Sequence, residues 1–273
     1  MSSARDLLAA LLLTLATVLG ALWLPGVWLH EHVIDQEGFL DVAQPLAEDP
    51  EVQRTLSDSA VETLLDDDRI PGWVADQVAP IAQEQAPRIT GTDMYATLWD
   101  ETMADLHEAL FTPGEDELGV DLGPVIDELL ISVEEVIPFD IPRPDDATVT
   151  LATIPDVPLL NQAATLAPWT AWMGPAALAL AVLALAIAAH RRSFLVLAGI
   201  AGILAGALTC LLADQIGTVV PDSVDRADFI GPIVQAFEVR FAADLMPQGV
   251  ILLGVGALVA AAGLVLVGLR RRS

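Results

Sequence analysis

The chain has 273 residues, 54 % of them hydrophobic, with a mean hydropathy of +0.56 and a formal net charge of −26. One soluble domain does not reconcile these values, so two solvents must serve two parts of the chain. The acidic balance opposes nucleic acid and bare anionic headgroups as partners, and the lack of lysine, all 12 basic residues being Arg, removes a Walker lysine and any Schiff-base amine.

Four runs are long enough to cross a hydrocarbon core, which needs about 20 apolar residues at about 1.5 Å each. They are Leu7 to Leu29, Trp169 to Ala189, Phe194 to Ala213 and Gly249 to Leu269, and none contains Asp, Glu, Lys or Arg. Arg5 precedes the first run as it would in a secretory signal. That run exceeds the roughly 7 to 15 apolar residues of a signal peptide. It ends in Pro25, Gly26 and Trp28 without a small-x-small cleavage site, so a retained anchor is expected.

Residues 30–168 hold most of the 38 acidic side chains and are numerous enough for one domain with its own core. The only cysteine, Cys210, lies in the third apolar run, so packing and not disulfides must hold this domain. Its pattern is mostly helical. Asp49 before Pro50 reads as an N-cap with proline at the first helical position, and Val52, Leu56, Ala60 and Leu64 follow at i, i+4 up to Asp66-Asp67-Asp68. Ile70 and Pro71 open a second helix through Trp73 and Val78, which Pro80 interrupts before it continues to Gln85. Thr92 or Asp93 caps a third, whose stripe is Tyr95, Leu98, Trp99, Met103, Leu106 and Leu110, with Pro113 and Gly114 stopping it.

Further along, Leu118 to Leu122 and Ala147 to Thr153 alternate like two short strands able to pair, with a helix from Pro124 between them. Beyond the third apolar run, Phe229, Ile233, Phe237 and Phe241 give an amphipathic helix ending near Met246. Its apolar ridge must find cover, and docking on the acidic domain, against the Trp73 or Trp99 helix, is favoured over the bilayer surface because Asp222, Asp225 and Asp228 oppose anionic lipid.

Orientation follows from the arginines, since basic residues of short segments stay in the cytoplasm. Arg5, the pair Arg191 and Arg192, and Arg270 to Arg272 all fall on one side of a four-span plan. The expected fold is therefore a mainly α membrane protein of the plasma membrane, multi-pass, with both termini cytoplasmic. Residues 1–29 form the N-terminal end and first helix, 30–168 the acidic extracytoplasmic domain with its two-stranded β element, and 169–213 the second and third helices. Residues 214–248 form an extracytoplasmic loop carrying the amphipathic helix, and 249–273 the fourth helix and tail. Gly202 and Gly206, with Gly256 and Ala260 at the same spacing on the last helix and Ala198 extending the first pair, predict close helix packing within or between protomers.

The stretch Ala43-Gln44-Pro45-Leu46-Ala47-Glu48-Asp49-Pro50-Glu51-Val52, then Ile70-Pro71, then Tyr95-x3-Trp99-x7-His107, resembles a group of uncharacterised four-span integral membrane proteins of actinobacteria. The likeness covers the first span and the acidic domain. In that group an extracytoplasmic helical domain carries a Phe-x3-Trp-x7-His helix between the first two spans, so the resemblance implies the same architecture here and no particular reaction. Tyr95 stands for the usual aromatic, and Met103 stands where Asn is expected.

Candidate chemistry is sparse. His107-Glu108 begins like a zinc-protease helix, but Phe111 occupies the position of the second His. His30 and His32 share a metal only if their segment is extended, and an interfacial polar collar is the plainer reading. Asp66-Asp67-Asp68 and Glu115-Asp116-Glu117 lack calcium-loop spacing and read as solvated helix ends. The spans offer only Thr14, Thr17, Thr209 and Cys210 as notable polar side chains, which disfavours ion-coupled transport. Trp99, His107, His30 and His32 are the candidate functional surface. No catalytic, metal or cofactor site is expected.

The sequence therefore points to a non-enzymatic envelope protein whose acidic outer domain mediates interaction or sensing, with the membrane, an envelope protein or a second copy of itself as partner and no nucleic acid. The alternative is a membrane enzyme acting on a lipid or cell-wall precursor through outer-face carboxylates such as Asp100 and Asp105.

Overall fold

Among the residues that the computed structural model describes (2–50, 52–55, 58, 92–112, 117–121, 123–134, 148–153, 158–218 and 229–270), the chain is mainly helical. Four of its helices are long and apolar enough to cross a membrane. Two compact units share the sequence: Met1–Asp35, Leu159–Val220 and Phe237–Ser273 make an apolar unit, and Gln36–Pro158 with Pro221–Ala236 an acidic one.

In the apolar unit α1 spans Ser2–Leu29 and runs into a π-helical turn, His30–Ile34. The second long helix starts earlier than the apolar run that announced it, at Pro158 instead of Trp169, with Pro168 and Pro175 inside it. The third is Arg191–Gln215, and a short 3-10 turn, Ile216–Thr218, follows. The largest difference from expectation is at the end of the chain. The amphipathic loop helix and the fourth span are one helix of 41 residues, Ile230–Arg270, with Pro247 in its interior. Proline there removes one backbone hydrogen bond, but long apolar helices tolerate it where neighbours satisfy the freed groups. The carbonyl that Pro247 frees is that of Ala243; the Cys210 thiol of the neighbouring helix points at the Met246 carbonyl, 3.9 Å away.

In the acidic unit α2 is Gln36–Ala43, followed by a 3-10 turn, Gln44–Glu48. Asp49 is the N-cap that the sequence predicts, its Oδ1 accepting from the Val52 amide at 3.3 Å. The rest of the helix expected to Leu64 (Leu56, Ala60 and Leu64 included), the Asp66-Asp67-Asp68 run, the Ile70 to Gln85 helix with Trp73, the Pro113-Gly114 stop, Glu115 and Asp116 lie outside the described residues. The helix α3, Asp93–Phe111, is capped by Thr92, whose side chain accepts from the Tyr95 amide. It buries Tyr95, Leu98, Trp99, Thr102, Met103, Leu106 and Ala109. Leu110, expected in the stripe, is only partly buried, because Ala109 takes the inward position of the last turn. The strands β1, Glu117–Asp121, and β2, Thr148–Thr153, pair antiparallel around α4, Gly123–Glu134, with Gly119 opposite Thr150 and Leu118 opposite Ala152. The register skips Leu151, a bulge of one residue.

With the long helices numbered α5 (Pro158–Ile187), α6 (Arg191–Gln215) and α7 (Ile230–Arg270), the packing of the apolar unit becomes legible. Ala9 and Leu13 of α1, Ala184 at the end of α5, Ala188 just beyond it and Phe194 of α6 form one cluster. Between α6 and α7 the backbones themselves touch. A Cβ on Gly206 would lie 2.6 Å from the Leu253 nitrogen and 2.7 Å from the Gly249 oxygen, and one on Gly256 would lie 2.5 Å from the Ile203 nitrogen. Gly202 faces Gly256, so the small-residue pattern packs helices within the protomer. Ala198 does not extend this seam. Gly199 does, against Ala260, while Ala198 packs on the Ala9 cluster.

One end of this unit is tied by side chains to helix-terminal carbonyls. Arg5 donates to Ile187 O at 3.0 Å, Arg191 to Ala186 O at 3.2 Å and Arg192 to Leu266 O at 3.0 Å. Asp6 accepts from the Ala189 amide and meets His190 Nδ1, both at 2.9 Å.

Gly206→Ala is expected to destabilise the detergent-solubilised protein by about 1–3 kcal/mol, the cost of overpacking a tight contact. Gly254→Ala is the control, since nothing lies within 4 Å of a Cβ there. Thermal unfolding of the pair checks the seam, and equal melting temperatures for both variants would show that α6 and α7 do not meet through it.

Candidate functional site

A second group of ionisable side chains gathers where the end of α1, the end of α6 and the first half of α7 meet. Trp28, Ala213, Phe241 and Leu245 form a buried cluster there, with Val33, Ile216 and Phe237 packed around it. The ridge of the expected loop helix is thus divided: Phe237 and Phe241 pack in the apolar unit, with the Trp28 ring edge-on to Phe241 at 4.8 Å and 89°. Phe229 and Ile233 are core residues of the acidic unit, 2 % and 3 % exposed, and Phe229 meets Trp99 edge-on at 6.3 Å.

On this base sits a polar network centred on Asp244. Its Oδ2 accepts from Trp28 Nε1 at 3.1 Å and from Arg240 Nε at 3.0 Å, and His32 Nε2 is 3.9 Å away. The imidazole of His32 stacks on the Trp28 indole, centroids 4.9 Å apart and planes 9° from parallel. A carbonyl only accepts, so His32 Nδ1 carries a proton and donates it to Trp28 O at 3.1 Å. Trp28 therefore holds both partners: its backbone orients His32 and its ring nitrogen orients Asp244.

The segment carrying His30 and His32 is not extended. It is the π turn, which sends i and i+2 in different directions, so the two imidazoles do not form a shared site. His30 Nδ1 is buried without a hydrogen-bond partner. No group of three His, Cys, Asp or Glu side chains able to hold a metal occurs among the described residues.

Trp99 and His107, expected on a functional surface, are placed differently. Trp99 is 2 % exposed and belongs to the core of the acidic unit. His107 is partly buried between two aromatic rings, Phe39 at 5.2 Å and Phe111 at 5.0 Å. One turn apart on α3, Tyr95 Oη and Trp99 Nε1 are both buried without a hydrogen-bond partner. Burial pushes the Tyr95 phenol up to about 12. Asp100 and Asp105 are exposed and about 140° apart on the helix, so the carboxylates weighed for acid and base work do not converge.

The hydroxyls within the apolar helices are satisfied one turn back along their own helix. Thr14 donates to Ala10 O at 3.0 Å, Thr17 to Leu13 O at 2.7 Å and Thr209 to Ala205 O at 3.0 Å. Sequence reasoning missed the Trp28–Asp244 network. Its signal was present as an Arg240 and Asp244 pair at i, i+4 just before an apolar run, with Trp28 closing another. No protein-family model matches the sequence, and no curated protein or solved structure matches it either.

Tyr95 is the only tyrosine, so the phenolate absorbance of the whole protein reports it alone. The folded chain should titrate with a midpoint near 12, against about 10 for an exposed phenol. The neutral form is the one the fold prefers, so this contribution to stability is complete below about pH 10 and is lost as pH rises towards 12. A midpoint near 10 in protein still folded by circular dichroism would mean that Tyr95 faces solvent.

Proposed function

We propose that this chain is an integral protein of the plasma membrane that holds its acidic domain outside the cell, both termini being cytoplasmic, and uses that domain for interaction or sensing without catalysing a reaction. The observation that carries the reading is α7. Its first turns belong to the core of the acidic unit through Phe229, Ile230 and Ile233, and its remainder packs on α1 and α6 through Phe241, Leu245 and Gly256. One helix therefore supplies side chains to both units, an arrangement that suits a sensing element.

Orientation is supported by the side chains at the helix ends. Arg5, Arg191 and Arg192 mark one end of the apolar unit, as cytoplasmic segments do. Trp169 and Trp172 are 65 % and 70 % exposed near the other end of α5, and Trp28 lies in the last turn of α1, an arrangement that fits an aromatic belt at the opposite interface. The charge of the domain selects basic surfaces as partners, through the field it projects.

Reporter fusions after Asp100 and near Pro221 are expected to read outside, and those after Arg192 and Ser273 inside. A cytoplasmic signal at Asp100 overturns the orientation.

Phe229→Ala is expected to lower the unfolding free energy of the acidic domain by about 3–5 kcal/mol, the usual loss for a buried Phe, while leaving the reporters unchanged. In nanodiscs the full chain should bind an oligo-arginine peptide more tightly than an uncharged one, with affinity falling as salt rises, and to a lesser extent in Phe229→Ala. Equal binding of the two peptides, or no difference between wild type and Phe229→Ala, counts against the interaction reading.

A further inference from the structure

The arginine end of the apolar unit is a ready-made anion surface, and we propose that its occupant is the phosphate of an anionic phospholipid. The inference rests on the four-span reading above. Three guanidinium groups define the surface. Arg5 and Arg191 reach the adjacent carbonyls of Ile187 and Ala186 at the end of α5, and Arg192 reaches Leu266 O on α7. Each guanidinium has five N–H donors and these contacts use one of them, so the others stay available. All three residues are solvent-exposed.

The bonds to helix-end carbonyls matter because they fix where the charges sit. A guanidinium already ordered by the fold loses less conformational freedom on gripping a phosphate than one on a free side chain. Among the described residues three arginines face one carboxylate at this end. Asp6 is the carboxylate at this end, and it is engaged by the Ala189 amide at 2.9 Å and by His190 Nδ1 at 2.9 Å.

The positions of Arg191 and Arg192 add an independent reason. They open α6, whose N-terminus has no side-chain cap and no acidic residue in its first turn. Cations in that turn oppose the helix dipole, and while the Ser193 and Phe194 amides donate to the His190 carbonyl, those of Arg191 and Arg192 lie ahead of the first intrahelical acceptor. A phosphate supplies acceptors for those amides and a counter-charge for both arginines.

A lipid and not a free anion is the occupant because apolar surface begins beside the charges. Leu7, Leu8 and Leu11 of α1 are 72 %, 47 % and 67 % exposed within two turns of Arg5. A phospholipid satisfies both surfaces at once, with its phosphate on the arginines and its chains along the leucines.

The test uses the full chain purified in a zwitterionic or non-ionic detergent, with thermal unfolding followed as phosphatidylglycerol, phosphatidylcholine or inorganic phosphate is added. Phosphatidylglycerol is expected to raise the melting temperature by about 4 °C more than phosphatidylcholine, the shift that preferential binding to the folded state gives. That margin should vanish in Arg191→Gln/Arg192→Gln, and in the unmodified chain at about 0.5 M salt, where exposed charges are screened. The salt arm needs no variant, so a poorly folding mutant does not leave the question open. Equal shifts from the two lipids, or a margin unchanged by salt, would overturn the proposal. An equal shift from inorganic phosphate alone would replace the lipid with a free anion. Failure of the four-span reading looks different, since no lipid of either charge would then stabilise the chain.

Discussion

A helix of 41 residues is about 60 Å long, roughly twice the thickness of a hydrocarbon core, so α7 is far longer than one crossing needs. Its side chains change character along its length. Phe229, just before the helix, and Ile230 and Ile233 in its first turns fill a protein core. Glu238, Arg240 and Asp244 follow as the charged stretch, and from Gly249 onward the helix is apolar to Leu269. The rest of the apolar unit is arranged around this order. Gly199, Gly202 and Gly206 of α6 pack where α7 presents Ala260, Gly256 and Gly249 in turn, and Trp28 of α1 sits where α7 presents Phe241 and Asp244.

The Trp28 and Asp244 contact lies where the charged stretch of α7 gives way to its apolar run. A carboxylate next to an apolar run must be partnered, because an uncompensated charge is expensive where water thins out. Asp244 has Arg240 one turn away on its own helix, and an exposed i, i+4 pair of this kind contributes only a few tenths of a kcal/mol. The bond from the buried indole of Trp28 is different in kind, since it joins two helices and not two turns of one. It places the carboxylate while Phe241 and Leu245 exclude water beside it.

Much of this was legible in the residues. Charge-free runs disclosed four long helices, the Asp49-Pro50 pair disclosed a cap, and the spacing of Leu98, Trp99, Met103 and Leu106 disclosed the buried face of α3. Three things were not legible, for physical reasons. The loop helix expected to end near Met246 runs on through Pro247, since proline ends most helices in water but is tolerated within a long apolar helix packed against close neighbours. The extended or helical state of His30 to His32 is a matter of how α1 ends, and a local pattern of three residues does not encode it. A similar limit hid the split of the Phe229 to Phe241 ridge. Periodicity reports that a face is apolar, but not what covers each part of it.

The acidic unit shows why that split matters to stability. It contains no cysteine, carries most of the negative charge and buries Tyr95 Oη and Trp99 Nε1 without partners. Each unpartnered buried group costs about 1–3 kcal/mol, and like charges add repulsion. Burying a large apolar side chain contributes about 1.5–3 kcal/mol, so Phe229, Ile230 and Ile233 together are of the size needed to offset the two orphaned donors. Those three residues belong to α7 or immediately precede it, and the core they complete contains the ring of Trp99 itself. The acidic unit is therefore not finished by residues 36–158 alone. It borrows the last part of its core from the first turns of α7 and the residue before them, on the helix that continues as a long apolar element.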